Sequence, residues 1–579
     1  MLASSARSRL ILCALVAAAL YLPGLGAPAL WEPDEGRYAE IAREMVATHD
    51  YITPRNDFEL YFEKPPLVYW CEAAAIHLFG STEFAVRLPS AMFSIGQVVL
   101  TAAIADAMLG ASAGILAALS LMLSPLFFAF ARFATLDPAL AFFLTAALGA
   151  FYFASRCISF DDPRSRASML TSAVMLAFGT LVKGPVALIL GGSIVLVWLA
   201  AQHRLREIAK MPQVWCAVIY LAIVAPWFIL IELRNPGFLQ FFFIHEHLQR
   251  YLSSQEHGWG LWFFFPIVIA GFWPWIFFVP LGWSAMRSIP ETADRNSSPA
   301  PPRSDSHFLA IWFAVIFVFF SIPRSKLGTY ILPALPPLAI VAGYGLSRLI
   351  SVPSEFRVRM LKYFAIANVS IALIAAIALA IALYPLYPAL AIDAMLIAAV
   401  IAIGALLMYA IARVPSRTPY AIAALAIAMA TTIALAERTR DDAALLSTYR
   451  NLARTVVPYL GADNNQCALA SYRHYVQSLP FYTHRRETRV VYWGELSEVT
   501  LGTPVKSPFL IGSDARLSQI WGSGACMILI ANARDIPALN GLLKPVPVVL
   551  GCEGKKLALY NGALAPPPAA SSCLDRSGR

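Results

Sequence analysis

Acidic and basic side chains are concentrated in a polar segment near the N-terminus, Trp31–Met45, which follows an apolar run. Pro33 suits the first turn of a helix, and Asp34 with Glu35 would complement the positive end of the helix dipole. A carboxylate held there can orient a charged substrate group or accept a proton from a hydroxyl. We therefore predict that Asp34 is presented to a substrate at the start of a helix.

The spacing within this segment defines the faces of the predicted helix. One face would carry Asp34, Arg37, Tyr38 and Ile41, because residues three and four apart are neighbours on a helix surface. An apolar stripe formed by Ile41, Ala42 and Met45 would lay the helix along the membrane surface. Asp34 would then stand at the N-terminal end of a surface helix.

Three further polar segments carry charged residues beside prolines or glycines: Tyr61–Pro66, Arg132–Pro138 and Lys183–Pro185. The paired prolines of the first segment favour an extended approach followed by a helix start. In the second segment, Asp137 precedes a proline at the start of a helix, where it could either cap the helix or serve a site. In the third, the Gly-Pro pair breaks two helices and holds Lys183 on a tight turn.

Several basic residues lie at the outer ends of predicted helices, against the usual bias of basic residues toward the cytoplasm. They are Lys64, Arg132, Lys183, Arg324 and Lys326. Each could simply extend its charged end toward the interface. Together, cations at one membrane level would suit an anionic headgroup, above all a phosphate. The set therefore predicts a phosphate-binding site.

A histidine-rich stretch offers a second kind of chemistry. His245, Glu246 and His247 follow one apolar run closely, and His257 comes shortly after them. Ligands two residues apart suit a loop better than a helix, so we predict a loop here. A zinc ion held by His245 and Glu63 is one hypothesis, because imidazole and carboxylate both bind zinc. Histidines that contact lipid headgroups are the alternative.

Composition indicates which elements must position these residues. Of 579 residues, 59% are hydrophobic and 14% are charged, whereas soluble chains average about 25% charged. We predict an all-α polytopic membrane protein with thirteen spanning helices. Their predicted bounds are roughly 9–29, 85–109, 112–130, 134–155, 168–183, 186–202, 213–232, 261–286, 308–322, 329–349, 361–385, 390–412 and 418–437. The net charge of +9 fits basic cytoplasmic loops, and nucleic acid is not an expected partner.

Basic residues set the orientation. Arg7 and Arg9 place the N-terminus in the cytoplasm, with the first helix uncleaved. An odd number of spans then puts the tail, residues 438–579, outside, as a soluble α/β domain after a transmembrane domain of residues 1–437. The tail carries Cys467, Cys526, Cys552 and Cys573, whose pairing the sequence leaves open. A bacterial inner membrane with a periplasmic active site and tail is the expected location.

The ordered set of motifs resembles the lipid A aminoarabinose transferase family, large membrane glycosyltransferases of the C-fold type related to protein O-mannosyltransferases. The motifs are Pro33-Asp34-Glu35, Arg37-Tyr38-Ala39-Glu40-Ile41, Arg43-Glu44-Met45, Tyr61-Phe62-Glu63-Lys64-Pro65, Leu136-Asp137-Pro138, Lys183-Gly184 and Ser325-Lys326-Leu327 followed by Tyr330. The resemblance covers about residues 1–350 and fades through the later helices and the tail.

The resemblance implies transfer of 4-amino-4-deoxy-L-arabinose from undecaprenyl phosphate to a lipid A phosphate, with resistance to polymyxin and other cationic peptides. It implies a catalytic role for Asp34 and a supporting role for Asp137. The leaving lipid phosphate would be held by Arg37, Lys64 and Lys183, then Lys326, with Tyr61 and Tyr330 beside them. We expect a monomer among membrane lipids and no required cofactor; zinc at Glu63 and His245 stays a hypothesis.

Other functions remain open at this stage. A related C-fold transferase that glycosylates a protein or glycan hydroxyl would make Asp34 a general base, whereas a lipid A phosphate is already ionised. A lipid flippase or transporter would explain many spans, although paired interrupted helices in two halves are not seen. A purely structural membrane protein leaves the acid–base clusters unexplained. The tail could be a lid or an acceptor-docking domain.

Overall fold

The computed structural model describes residues 2–157, 159–249, 259–287, 302–349, 354–383, 388–444, 448–460, 467–486, 488–490 and 510–562. The chain divides into two compact units. The helical unit comprises Met1–Leu25, Leu88–Leu230 and Phe243–Thr439. The mixed unit comprises Gly26–Arg87, Ile231–Phe242 and Arg440–Arg579. The boundary predicted near residue 438 coincides with the last of these breaks, but the unit that holds the tail also includes two earlier segments.

Helices make up most of the described chain. The first are α1 Leu2–Tyr21, α2 Asp34–Thr48, α3 Leu67–Phe79, α4 Glu83–Leu109, α5 Ala111–Met122, α6 Pro125–Ala131, α7 Asp137–Ser155, α8 Pro163–Lys183, α9 Val186–Ala201, α10 Gln213–Arg234 and α11 Phe238–Gln240. After them come α12 Phe264–Gly271, α13 Val279–Arg287, α14 Pro302–Ser321, α15 Leu335–Arg348, α16 Ser354–Leu383, α17 Pro388–Ala412, α18 Thr418–Ala444, α19 Arg450–Leu460, α20 Leu479–Thr483, α21 Asp514–Trp521 and α22 Ile536–Leu542.

The length and apolar character of these helices make the chain a multi-pass membrane protein. In the described ranges, eight helices are long and apolar enough to cross a membrane. Two bent pairs, α5 with α6 and α12 with the helices that end at Arg287, raise that number to ten if each pair is one span. Leu67–Phe79, Val186–Ala201 and Asp305–Ser321 are shorter apolar helices. A helical, polytopic fold is thus confirmed.

The helices that precede the predicted site begin and end where proline and glycine direct them. Helix α3 follows Pro66, as the paired prolines predict. Helix α8 ends at Lys183 because Gly184 adopts a φ of 73°, a conformation that side chains disfavour. Pro185 then precedes α9. These local signals hold Lys183 on the tight turn that the sequence predicts.

The histidine-rich stretch is helical, which corrects the prediction of a loop. Phe241–Gln249 forms a π-helix that contains His245 and Glu246. The aromatic side chains of Phe241 and Phe242 are buried, so the start of this helix packs against other parts of the protein. His257 lies outside the described residues.

The mixed unit combines segment Gly26–Arg87 with a sheet from the tail. Strands β1 Arg55–Asn56 and β2 Glu59–Leu60 form an antiparallel hairpin. The tail strands are β3 Ala468–Tyr472, β4 Thr488–Val490, β5 Leu510–Ile511, β6 Met527–Asn532, β7 Val548–Glu553 and β8 Lys556–Tyr560. Among the described strands their order is β5-β4-β3-β6-β8-β7. Strands β5, β4, β3 and β6 run parallel to one another, whereas β8 runs antiparallel to β6 and β7.

Hydrophobic side chains cover both faces of the tail sheet. One core contains Leu452 and Val456 of α19 with Ile528 and Ile530 of β6. The opposite core contains Trp521 of α21 with neighbouring sheet residues. Cys467 is disulfide-bonded to Cys526, which selects one of the pairs left open by the sequence. Cys573 lies outside the described residues.

Close helix packing in the helical unit depends on glycine. Helix α15 is buried along nearly its whole length. A Cβ added at Gly343 would overlap the backbone nitrogen of Ala117 in α5. On the other side, Gly345 lies against the backbone of Gly282 in α13. Small residues let the backbones of membrane helices approach closely, so these glycines set the helix separation.

We expect Gly343→Ala to destabilise the protein by about 1–3 kcal/mol, because the added methyl group must displace backbone atoms. The midpoint of thermal unfolding in detergent measures the effect. Gly192→Ala in α9 is the matched control, since a Cβ there meets nothing within 4 Å. Equal melting temperatures for the two variants would contradict the proposed packing constraint.

Candidate active site

Asp34 is the first residue of α2, immediately after Pro33, as the sequence predicts. Its side chain is half-buried, whereas those of Ile41, Ala42 and Met45 are almost fully buried. Helix α2 packs against α3, the hairpin strand β1 and the tail helix α20. The apolar stripe therefore faces protein, which corrects the expectation that it lies along the membrane surface.

A fully buried ion pair fixes the start of α2. Arg87 forms two hydrogen bonds of 2.7 Å with the two carboxylate oxygens of Glu35. The same guanidinium donates to the carbonyl oxygens of Pro28 at 2.6 Å and Ala29 at 2.9 Å. Glu35 also accepts the backbone N–H of Trp31 at 3.0 Å. The guanidinium of Arg87 thereby holds the backbone of residues 28–29 directly and the start of α2 through Glu35.

Six residues of the mixed unit form a group that we call the tyrosine cluster: Arg37, Tyr38, Tyr61, Glu63, Lys64 and Tyr69. The ring of Tyr69 lies 5.7 Å from that of Tyr38 and 6.5 Å from that of Tyr61. Burial and the nearby groups Tyr38, Glu72 and Glu63 raise the pKa of the Tyr69 hydroxyl, whereas Arg37 lowers it. The structure thus gathers Arg37 and Tyr61, two residues predicted to bind phosphate, around one buried ring.

Lys64 and Glu63 interact within this cluster. The Tyr61 hydroxyl donates to the carboxylate of Glu63 at 3.2 Å, and the ammonium of Lys64 lies 3.9 Å from that carboxylate. Lys64 also donates to the backbone carbonyl of Glu63 at 3.1 Å. Glu63 is buried and is engaged by a hydroxyl and an ammonium, an arrangement that orients Tyr61 and Lys64.

Glu72, one turn after Tyr69 in α3, is a buried acid that the sequence analysis missed. Its side chain is 0% exposed, and within the described part of the chain neither carboxyl oxygen has a hydrogen-bond partner. Burial raises the pKa of Glu72 well above its usual range, and repulsion from Glu35 raises it further. Burial thus favours the protonated, uncharged form of this carboxyl group.

In the helical unit, the structure brings together three predicted residues, which we call the lysine cluster: Asp137, Lys183 and Tyr330. The ammonium of Lys183 is 2.5 Å from a carboxylate oxygen of Asp137 and 4.0 Å from the centre of the Tyr330 ring. Asp137 is the first residue of α7, directly after the N-cap residue Leu136. Its carboxylate pairs with Lys183, another predicted site residue, and its role in the reaction stays a prediction.

Two other predicted cations are engaged by backbone. Lys326 is buried and donates to the carbonyl oxygens of Trp259 at 3.0 Å and Gly260 at 3.1 Å. Burial also lowers the pKa of Lys326. Arg132 donates to the carbonyl oxygens of Tyr21 and Pro23, and it forms a 3.0 Å ion pair with Glu437. Arg132 thus joins the ends of α1 and α18, a structural role that differs from phosphate binding.

The zinc hypothesis stays a prediction. Glu63 lies in the mixed unit and His245 in the helical unit. Among the residues that the structure describes, no three His, Cys, Asp or Glu side chains form a group that could hold a metal ion. The side chain of His245 is exposed.

The missed residues had a recognisable signal in the sequence. Arg87 lies near the start of the apolar helix α4, and Glu72 interrupts the apolar helix α3. Ionisable residues in such segments are costly unless they are paired or functional. What the sequence could not supply is the partner, because Glu35 lies 52 residues before Arg87 in the chain.

Comparison with known proteins identifies relatives. Residues 6–242 match the family described as dolichyl-phosphate-mannose-protein mannosyltransferase. The undecaprenyl phosphate-alpha-4-amino-4-deoxy-L-arabinose arabinosyl transferase of Erwinia tasmaniensis is 32% identical over 379 residues, 65% of each chain. The alignment therefore spans slightly less than two thirds of that relative. The resemblance to the aminoarabinose transferase family that the motifs predict is confirmed.

Solved structures give a similar result for the fold. The crystal structure of ArnT from Cupriavidus metallidurans bound to undecaprenyl phosphate matches with a TM-score of 0.83 and 27% identity, over 96% of this chain and 99% of that chain. The apo oligosaccharyltransferase of Archaeoglobus fulgidus matches with a TM-score of 0.51 and 14% identity, over 83% and 64%. The second likeness concerns the fold alone.

We expect Arg87→Met to destabilise the protein by about 3–5 kcal/mol, because it leaves the buried Glu35 carboxylate without its partner. The double variant Glu35→Leu with Arg87→Met should recover part of that loss, since it removes both charges. Denaturant unfolding of both variants in detergent measures the difference. A single variant within about 1 kcal/mol of the wild type would contradict the role assigned to the pair.

Proposed function

Because the chain resembles aminoarabinose transferases in sequence and in fold, we propose that it transfers 4-amino-4-deoxy-L-arabinose from undecaprenyl phosphate to a lipid A phosphate. The observation that carries this proposal is the likeness, over nearly the full length of both chains, to an ArnT structure that contains undecaprenyl phosphate. The predicted donor-binding residues are consistent with it, since Arg37, Lys64 and Lys183 offer cations to a lipid phosphate. Modification of lipid A would make the cell surface less anionic and protect it from polymyxin.

The proposed reaction exchanges one phosphate for another at the sugar. An oxygen of the acceptor phosphate forms a bond to the anomeric carbon, while the bond from that carbon to the donor phosphate oxygen breaks. The electron pair of the broken bond stays on undecaprenyl phosphate, and attack from the opposite face inverts the anomeric centre. Negative charge therefore grows on the leaving phosphate in the transition state, where fixed cations stabilise it most.

Each cation has a contact that supports its role. Asp137 and the Tyr330 ring hold the ammonium of Lys183, so that cation is fixed before the donor binds. Tyr61 and Lys64 are arranged around Glu63, and Arg37 lies near Tyr69. The main role we assign to Lys326 is to hold segment 259–260, because two of its three ammonium hydrogens bond to carbonyl oxygens there. We assign Asp137 as the residue that positions Lys183.

Asp34 acts beside the reacting sugar. A lipid A phosphate is ionised near neutral pH, so it needs no general base. Asp34 instead orients the acceptor or binds the ammonium group of the aminosugar. If the acceptor were a protein or glycan hydroxyl, the same carboxylate would serve as a base; the match of residues 6–242 to mannosyltransferases is the observation that favours this second candidate.

We further propose thirteen spans, a periplasmic active site and a periplasmic α/β tail in a bacterial inner membrane. The long helices, the two bent pairs, α1 and the apolar helices Val186–Ala201 and Asp305–Ser321 together make thirteen. The Cys467–Cys526 disulfide supports an oxidising compartment for the tail. We propose a monomer, with undecaprenyl-phosphate donor and lipid A as its lipid substrates.

We expect Asp34→Asn to lower transfer below about a tenth of wild type, because the amide cannot bind a cation or accept a proton as a carboxylate does. Both proteins would be expressed in a strain that lacks its own aminoarabinose transferase, with lipid A mass and polymyxin survival as readouts. Asp161→Asn is the control, since Asp161 pairs with Arg166 on an exposed loop. An unmodified lipid A with well-inserted wild type would favour another sugar or acceptor.

We expect transfer to change by less than about two-fold after treatment with a metal chelator, because the leaving group is a lipid phosphate neutralised by side-chain cations. Purified protein would be assayed with and without chelator, and with zinc or magnesium added back. Loss of transfer that zinc alone restores would instead support a metal at Glu63 and His245. Glu63→Gln, tested in parallel, would then lose the zinc response.

A further inference from the structure

The tail contacts the loop that carries Asp34, and it does so on both sides of that residue. Leu30 and Glu32 precede Asp34 and bond to residues of the tail, and Gly36 follows it and lies against the tail. These residues belong to the mixed unit, although more than four hundred positions separate the two segments in sequence. The loop that carries the predicted catalytic carboxylate is therefore held at its flanks.

Glu32 provides the most specific of these contacts. One carboxylate oxygen accepts the backbone N–H of Ser478 at 2.7 Å, and the other accepts that of Gln477 at 3.0 Å. Burial raises the pKa of Glu32 to about 7, while the side chain and backbone of Ser478, the backbone N–H of Gln477 and the charge of Lys556 act in the opposite direction. Because both oxygens are engaged, the side chain has one orientation, and it fixes the backbone two residues before Asp34.

Tyr482 and Arg450 hold the residues further upstream. The Tyr482 hydroxyl accepts the backbone N–H of Leu30 at 2.7 Å and lies 3.2 Å from a carboxylate oxygen of Glu83. Arg450 donates to the carbonyl oxygen of Ala27 at 2.9 Å and to Glu83 at 3.1 Å. The tail thus bonds to the backbone of this loop at more than one point.

On the other side of Asp34, the backbone of α2 touches the tail directly. A Cβ added at Gly36 would lie 2.6 Å from the backbone nitrogen of Ser478 and 2.9 Å from its Cα. Backbone atoms cannot move aside as a flexible side chain can, so only glycine fits this contact. Ser478 therefore meets the loop before Asp34 through Glu32 and after it through Gly36.

We propose that residues 477–482 of the tail are a positioning element for Asp34, and that Glu32 is the positioning residue through which they act. This inference rests on the proposed function, since it assigns a role toward the carboxylate of that reaction. It gives the tail a task different from a lid or an acceptor-docking domain. The segment sets where Asp34 stands in the resting protein, and displacement of a catalytic group by about 1 Å can cost a hundred-fold in rate.

The first experiment measures steady-state transfer by the full-length protein in lipid nanodiscs, with undecaprenyl-phosphate aminoarabinose as donor and lipid A as acceptor. In Glu32→Gln an NH2 group, which cannot accept a hydrogen bond, replaces one of the two acceptor oxygens, so one of the two backbone N–H groups loses its partner. We expect kcat to fall about ten-fold or more while the KM for donor changes less than about two-fold. Glu32→Ala, which accepts neither N–H, should lose more activity than Glu32→Gln.

The matched control is Glu553→Gln. Glu553 is also a buried acid that accepts a backbone N–H, from Leu452 at 3.1 Å, but both residues lie within the tail. Its substitution weakens the tail without changing the hydrogen bonds to the loop, so kcat should stay within about two-fold of wild type. An equal loss of kcat in both variants would overturn the proposal, because it would reduce the effect to general destabilisation.

A second measurement tests the inference without relying on the transfer reaction. Hydrogen exchange of the backbone amides of residues 34–41 should be faster in Glu32→Gln than in wild type, and unchanged in Glu553→Gln. If wild type transfers no aminoarabinose, the proposed function fails, and this exchange alone decides whether the tail positions the loop. Unchanged exchange at residues 34–41 overturns the inference in either case.

Tyr482→Phe provides the same test should Glu32→Gln fail to fold. It removes only the hydroxyl that accepts the N–H of Leu30 and leaves the ring in place. Lower kcat with unchanged donor KM, together with faster exchange at residues 34–41, would support the positioning role. Wild-type kcat and exchange in a folded Tyr482→Phe protein would overturn it.

Discussion

The segment that leads into α2 depends on one buried ion pair, between Glu35 and Arg87. Two charges that are fully removed from water are costly, and their mutual attraction compensates only when their geometry is good and their remaining hydrogen bonds are satisfied. Here the guanidinium also binds the carbonyl oxygens of Pro28 and Ala29, and the carboxylate binds the N–H of Trp31. The pair therefore specifies one path for the chain into α2, whose first residue is Asp34.

A catalytic group on a loop needs support from more than one direction if it is to act with the precision of a group on a rigid element. Arg87 supplies one support from the start of α4, and the tail supplies another through Gln477 and Ser478. In the helical unit, Lys183 is supported by Asp137 and Tyr330, which come from two other elements. In the helical unit an ion pair holds the predicted cation itself, whereas in the mixed unit an ion pair and backbone hydrogen bonds hold the residues that flank Asp34.

Local signals in the sequence were sufficient for the elements that carry the site. Pro33 and Pro66 mark the starts of α2 and α3, and Gly184 marks the end of α8, because each acts on its own backbone. The side chains that complete the site come from distant parts of the chain, which no local pattern predicts. The same limit applies to Lys326: its charge was evident, but its carbonyl partners depend on how the chain folds.

The hydrogen bonds between Glu32 and residues 477–478 join parts of the chain that are made at opposite ends of synthesis. A ribosome produces the segment before α2 early, and hundreds of residues are added before Ser478 emerges. Under the proposal that residues 477–482 position Asp34, that segment gains its support from the tail only once the tail has been made.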